Sequence, residues 1–168
     1  MAKLRKFCAY KSVKRPYTRF SKYKTKNYIR SRPHCRITMF DLGNKQKQFK
    51  HCLKLISKDR AQIRDTALES ARQTANKWLE KTLSVAGYRL VVQVFPHHVL
   101  RENPLASAAG ADRMSTGMAH SFGKNIGVAA QVSPGKVLMS VYYDEDFETA
   151  KKALKRASLK LPVRCIME

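Results

Sequence analysis

Residues 1–36 contain no aspartate or glutamate. The chain also lacks the ~18 to 20 uninterrupted apolar residues that a membrane span requires, and its basic N-terminus is not followed by the apolar stretch of a signal peptide. The protein is therefore expected in the cytoplasm, where it is made. Cys8, Cys35, Cys52 and Cys165 stand far apart, without the short paired spacing of a zinc ribbon, so no metal is expected and the four read as free thiols.

What is abundant is positive charge. The chain of 168 residues carries 34 Lys and Arg against 12 Asp and Glu, a formal net charge of +22. Such a field concentrates polyanions and opposes folding by self-repulsion, which points to a nucleic-acid partner. The distribution is uneven: residues 1–36 hold 13 of the bases, and the rest of the chain mixes 21 bases with all 12 acids. Phe7, Tyr10, Tyr17, Phe20, Tyr23 and Tyr28 interleave the basic residues of this segment with no helical or strand period. Cations meet phosphates while planar rings stack on unstacked bases or pack on ribose, so residues 1–34 read as an extended RNA-binding arm that orders on its partner.

Residues 35–168 read as a single α+β domain, with two helices on one mainly antiparallel sheet. "CRITMFDL" alternates as a strand, placing Ile37, Met39 and Asp41 on one face, and stops at Gly43-Asn44. "KHCLKLIS" is a second strand. Asp59 with Gln62 three positions on has the spacing of a capping box, predicting a helix to about Thr82 with Ile63, Ala67, Ala71, Ala75, Trp78 and Leu79 on its apolar face. "YRLVVQVF" is a strand halted by Pro96. Residues 97–124 show no clean period and read as a long loop. "NIGVAAQV" and "KVLMSVYY" flank Ser133-Pro134-Gly135 as a hairpin-like pair of strands. A last helix begins at Asp144, buries Phe147, Ala150, Leu154 and Ala157, and runs from acids to bases in the order that complements its dipole. Pro162 ends it, and "VRCIM" returns as a closing strand.

Catalytic motifs fail on spacing. "GMAHSFGKN" approaches a phosphate-binding loop, but its glycines are one residue too far apart and Asn125 stands where a magnesium-binding hydroxyl belongs. His97, His98 and Glu102 lack the two-histidine helical turn of a metalloprotease. Ser107, Ser115 and Ser121 near His120 lack a nucleophile elbow. No catalytic residue, cofactor or small-molecule substrate is expected, and the histidines read as packing or hydrogen-bonding groups at the foot of the loop. "ASAAGADRMSTGM" has little bulk and little charge, which suits close approach to a crowded RNA surface.

The segments "QIRDTALESARQTANKWLEKTL", "VFPHHVLRENPLASAAGADRMSTGMAHSFGK" and "FDLGN" resemble the large-subunit ribosomal protein family called L-sixteen in bacteria and L-ten-e in archaea, on its archaeal and eukaryotic-type branch. The resemblance implies an α/β-hammerhead fold. It further implies a structural ribosomal constituent bound to large-subunit rRNA beside the aminoacyl-tRNA site, helping to position tRNA by the peptidyl-transferase region among neighbouring ribosomal proteins. Carried over by position, Arg15, Tyr17, Arg30 and Arg32 would belong to the rRNA-binding arm, and Arg19, Tyr23, Lys24 and Lys26 of the same basic, aromatic segment are expected to bind rRNA with them. Arg101, Gly110, Asp112 and Arg113 would likewise belong to the loop facing tRNA, to which the loop's composition adds Ser107, Ala111 and Lys124. The alternative that composition allows is a non-ribosomal RNA-binding protein or RNA chaperone.

Overall fold

The computed structural model describes residues 5–13, 15–29, 31–102 and 123–168. The regular elements are β1 (Asp41–Gly43), β2 (His51–Ser57), β3 (Ala61–Arg64), α1 (Asp65–Leu83), β4 (Arg89–Val92), β5 (His98–Glu102), β6 (Lys124–Val132), β7 (Val137–Tyr143), α2 (Phe147–Ser158) and β8 (Cys165–Met167). They form an α+β fold in which the two helices pack on antiparallel sheets. There are two sheets where the sequence predicts one: a five-stranded sheet in the order β1-β4-β7-β2-β8 and a three-stranded sheet in the order β3-β6-β5.

The larger sheet buries Leu53, Leu55, Leu90, Met139 and Val141 against Leu68, Ala71, Ala75 and Leu79 of α1 and Ala150, Ala153, Leu154 and Ala157 of α2. The alanines let the helices approach closely, since a residue without bulk keeps neither helix away from its neighbour. Phe147 was expected in this face but is 45% exposed. It opens α2 three residues after the predicted start, because the Asp144 carboxylate accepts from the Lys50 N–H and pairs with Lys47.

Three further expectations are corrected. Asp59 caps no helix: its carboxylate accepts from the backbone and guanidinium of Arg164, at 3.0 to 3.2 Å, and ties the β2–β3 turn to the approach of β8. Ala61 to Arg64 instead pair with Val132 to Ala129, so Ile63 belongs to a strand and α1 begins only at Asp65. There the Asp65 carboxylate accepts the N–H groups of Thr66 and Arg36, placing an anion at the helix start.

The β6–β7 segment is not a paired hairpin. β6 pairs with β3 and β5, and β7 pairs with β2 and β4, so the Ser133-Pro134-Gly135 turn carries the chain from one sheet to the other. The β2–β3 connection crosses at the same corner. Hydrogen bonds from Gly135 to the Ser57 carbonyl and from Ser57 to the Lys136 carbonyl, both 2.9 Å, lace the two crossings together. A Pro-Gly turn has the same local chemistry whether the flanking strands pair or part, which is why the pattern misled.

Residues 35–40 are not strand, and only Asp41–Gly43 pair, with β4. Ile37 is buried while Met39 is 60% exposed, so the two do not share a face as the alternation predicted. Within the predicted loop, His98–Glu102 pair with β6, with a register shift between Leu100 and Arg101. Gly43 closes β1 with φ of +84°, and a Cβ there would run into the Tyr88 carbonyl. That backbone suits glycine alone. Gly43→Ala is expected to cost about 2 to 4 kcal/mol, read as a lower urea midpoint with an unchanged m-value.

Candidate nucleic-acid interface

β5 is an edge of the three-stranded sheet, and an open edge exposes unpaired backbone groups. The arm covers it. Val99 N–H donates to the Tyr17 carbonyl at 3.0 Å, and Tyr17 N–H donates to Nδ1 of His98 at 2.8 Å. Ile29, the single aliphatic side chain between Val13 and Ile37, is 1% exposed and packs with Val99, Val128, Tyr17 and Cys35. An apolar anchor and a short run of edge pairing thus hold a segment that has no periodicity of its own.

The chain between these anchors folds back on itself. Tyr28 and Ile29 N–H donate to the Arg19 carbonyl at 3.3 and 3.4 Å, and the Tyr17 hydroxyl donates to the Tyr28 carbonyl at 3.1 Å. Beyond it, Asn125 donates to the Ser31 carbonyl and Arg32 to the Pro96 carbonyl. The result is an open groove of about 740 Å³ lined by Arg15, Pro16, Tyr17, Thr18, Arg19, Tyr28 and Arg101. The Arg101 guanidinium lies 4.0 Å from the centre of the Tyr17 ring and Arg19 lies 4.4 Å from that of Tyr28. Stacking of this kind holds a guanidinium plane while leaving its N–H edges to oxygen acceptors. Among the described residues no carboxylate pairs with Arg15 or Arg19. Two rings and three guanidinium groups in one groove can receive a phosphate together with its base or ribose.

The nearby acid is engaged elsewhere. Glu102 pairs with Arg5 and accepts from the Tyr10 hydroxyl, and the Gln62 amide donates to the Tyr10 and Ser12 carbonyls. His98, weighed above as a packing or hydrogen-bonding group, has that role. Burial, and then the neighbouring Arg101 charge, push its pKa below 6.5, which keeps Nδ1 unprotonated as the acceptor for Tyr17. Among the described residues no cluster of His, Cys, Asp and Glu could hold a metal ion.

Of the residues singled out from sequence, Arg15, Tyr17, Arg19 and Arg101 come together in the groove, joining an arm to a residue assigned to the loop. Tyr23, Lys24 and Lys26 stand apart on a 3-10 turn, with Tyr23 71% exposed. Arg32 lies between the rings of Phe20 and Phe95, at 5.3 and 5.4 Å. Lys124 opens β6 opposite Glu102. Arg30, Ser107, Gly110, Ala111, Asp112 and Arg113 lie outside the described residues. Tyr28 was missed as a site residue; its place among the interleaved aromatics was the available signal.

The family model for ribosomal protein L16p/L10e matches residues 14–168. The chain belongs to that family. A protein of Archaeoglobus fulgidus named large ribosomal subunit protein uL16 is 46% identical over 154 residues, covering 91% of this chain and 85% of the relative. Proteins of the same name from Thermofilum pendens and Methanococcus aeolicus are 46% and 42% identical, over 91% and 96% of this chain and 89% and 91% of their own. L16p/L10e is a family of structural rather than catalytic proteins, which accords with the failed catalytic spacings. In this L16p/L10e chain the groove combines the arm with the edge strand, so His98 should make its geometry sensitive to pH. A His with a depressed folded pKa binds protons preferentially in the undocked state, so the contact's contribution is full above the unfolded value near 6.5 and is lost as pH falls from there through the lower folded value. Amide exchange at Tyr17 is expected to rise between pH 7.5 and 5.5 beyond the intrinsic pH effect, and His98→Ala should abolish the difference.

Proposed function

We propose that the protein is a structural constituent of the large ribosomal subunit in the cytoplasm, gripping rRNA with the groove formed by its arm and β5. The observation that carries this reading is the convergence of Arg15, Arg19 and Arg101 with Tyr17 and Tyr28 on one open surface. The net charge of +22 and the names of the relatives support it. In this reading residues 1–34 are the RNA-binding arm and residues 35–168 the domain that presents it. Tyr23, Lys24, Lys26, Arg30 and Arg32 extend the contact along the same RNA, and neighbouring ribosomal proteins complete the environment.

The segment that follows β5, up to Lys124 at the start of β6, reaches tRNA beside the aminoacyl site. Its small residues, Ser107, Gly110 and Ala111, allow close approach. Its sparse charges, Asp112, Arg113 and Lys124, avoid holding each tRNA too long. Replacing Ser107 and Ala108 by lysine is therefore expected to slow tRNA release, and unchanged accommodation and release rates would remove the loop from this role.

Sedimentation of a lysate at moderately high salt tests the main reading. About one copy per large subunit is expected. A protein found free, or scattered over all RNA, would favour a non-ribosomal RNA chaperone. Arg15→Ala, Arg19→Ala and Arg101→Ala together are expected to weaken rRNA binding about tenfold or more and to lower the slope of log affinity against log salt by about 2 to 3.

A further inference from the structure

A second cationic surface lies on the helix pair. α1 and α2 enclose an open cleft of about 440 Å³ lined by Thr74, Lys77, Trp78, Lys81 and Arg156. The Arg156 guanidinium lies over the indole of Trp78, its carbon 3.7 Å from the ring centre. The Trp78 N–H beneath is buried and, among the described residues, makes no hydrogen bond. Lys77, Lys81 and Arg156 are exposed, and among the described residues no acid pairs with any of them.

The arrangement is unfavourable for an isolated helix. Lys77 and Lys81 are four residues apart on α1, where like charges repel by a few tenths of a kcal/mol. Both nearby α1 glutamates bond along another side: Glu69 with Arg72 and Gln73, and Glu80 with Asn76. A helix selected only for solubility would alternate the two signs. Here the acids are kept off one stripe, and a stacked arginine is added to it from α2. Cations without acidic partners around an open cleft fit a polyanion, and the planar guanidinium fits the oxygens of a phosphate backbone.

This surface is not an extension of the arm's groove. Just beyond the arm, the chain meets α1 at the first residue of the helix, where Arg36 N–H donates to Asp65. Trp78 lies thirteen residues further on, about 20 Å along the helix axis at ~1.5 Å per residue. We propose that the α1–α2 cleft is a second RNA contact, one that grips the phosphate backbone of an RNA segment other than the one held by the arm. The inference rests on the RNA-binding reading above. It makes the protein a bridge between two RNA elements.

Trp78 is the only tryptophan in the chain, so its emission reports on this cleft alone. The full-length protein is titrated with a fluorescein-labelled RNA duplex of about 20 base pairs. Anisotropy measures total binding and tryptophan emission measures occupancy of the cleft. A saturable change in emission is expected, and it should persist in the Arg15→Ala, Arg19→Ala, Arg101→Ala variant. Lys77→Ala with Lys81→Ala leaves the Trp78–Arg156 stack in place; it should lose most of the emission change and lower the salt slope by about 2. Far-UV circular dichroism and the urea midpoint check that both variants fold. Anisotropy that reports binding while emission stays silent, or a lysine variant that responds as the wild type does, overturns the proposal. A response to poly-glutamate equal to that to RNA overturns it too, by making the cleft a general anion site. Absence of any anisotropy change refutes the RNA-binding reading itself, a separately visible failure.

Discussion

Self-repulsion among 34 basic side chains is the constraint on which the rest of the structure depends. Only 12 acids oppose them, and four of the described ones are placed where distant parts of the chain must meet. Asp41 joins Arg89 across the β1–β4 edge, Asp59 joins Arg164, Asp144 joins Lys47, and Glu102 joins Arg5. Hydrogen bonds from the basic partner hold the carboxyls of Asp41, Asp59 and Asp144 below the usual range, as they do that of Glu69 beside Arg72. Most of these pairs are partly exposed, so their contribution lies in register and proximity more than in stability.

Using the acids at chain crossings leaves other surfaces uncompensated. Among the described residues, Arg15 and Arg19 in the groove form one such surface, and the stripe of Lys77, Lys81 and Arg156 is another. Neutralising such cations by phosphate releases counterions from the RNA, so the charge that opposes folding of the free protein becomes the driving force of association. Aromatic rings recur at both places. Tyr17, Tyr28 and Trp78 each lie against a guanidinium, which fixes the cation's orientation without neutralising it.

Much of this was legible in the sequence. The absence of acids from residues 1–36, the interleaved tyrosines and the family motifs pointed to RNA, and the apolar stripe of Ala71, Ala75 and Leu79 marked the face of α1. The errors share a cause: local chemistry does not state its partner. Asp59 and Gln62 have capping-box spacing, yet Arg164 and the backbone of Tyr10 and Ser12 compete successfully for them. Ser133-Pro134-Gly135 has turn chemistry, yet it joins strands of different sheets. β5 was hidden because five residues ahead of a long segment without period offer too little pattern to read.

The sequence by itself determined the charge, the class of partner, the family and the helical faces, because each follows from composition, spacing or motif along a contiguous stretch. Tertiary structure alone decided that the strands divide between two sheets, that Ile29 and His98 seat the arm on an open strand edge, and that Arg101 joins Arg15 and Arg19. These depend on contacts between residues far apart in the chain, such as Tyr10 with Glu102, 92 positions on. Such contacts are selected by competition among many partners of similar local chemistry, and the selection is settled only when the whole chain is packed.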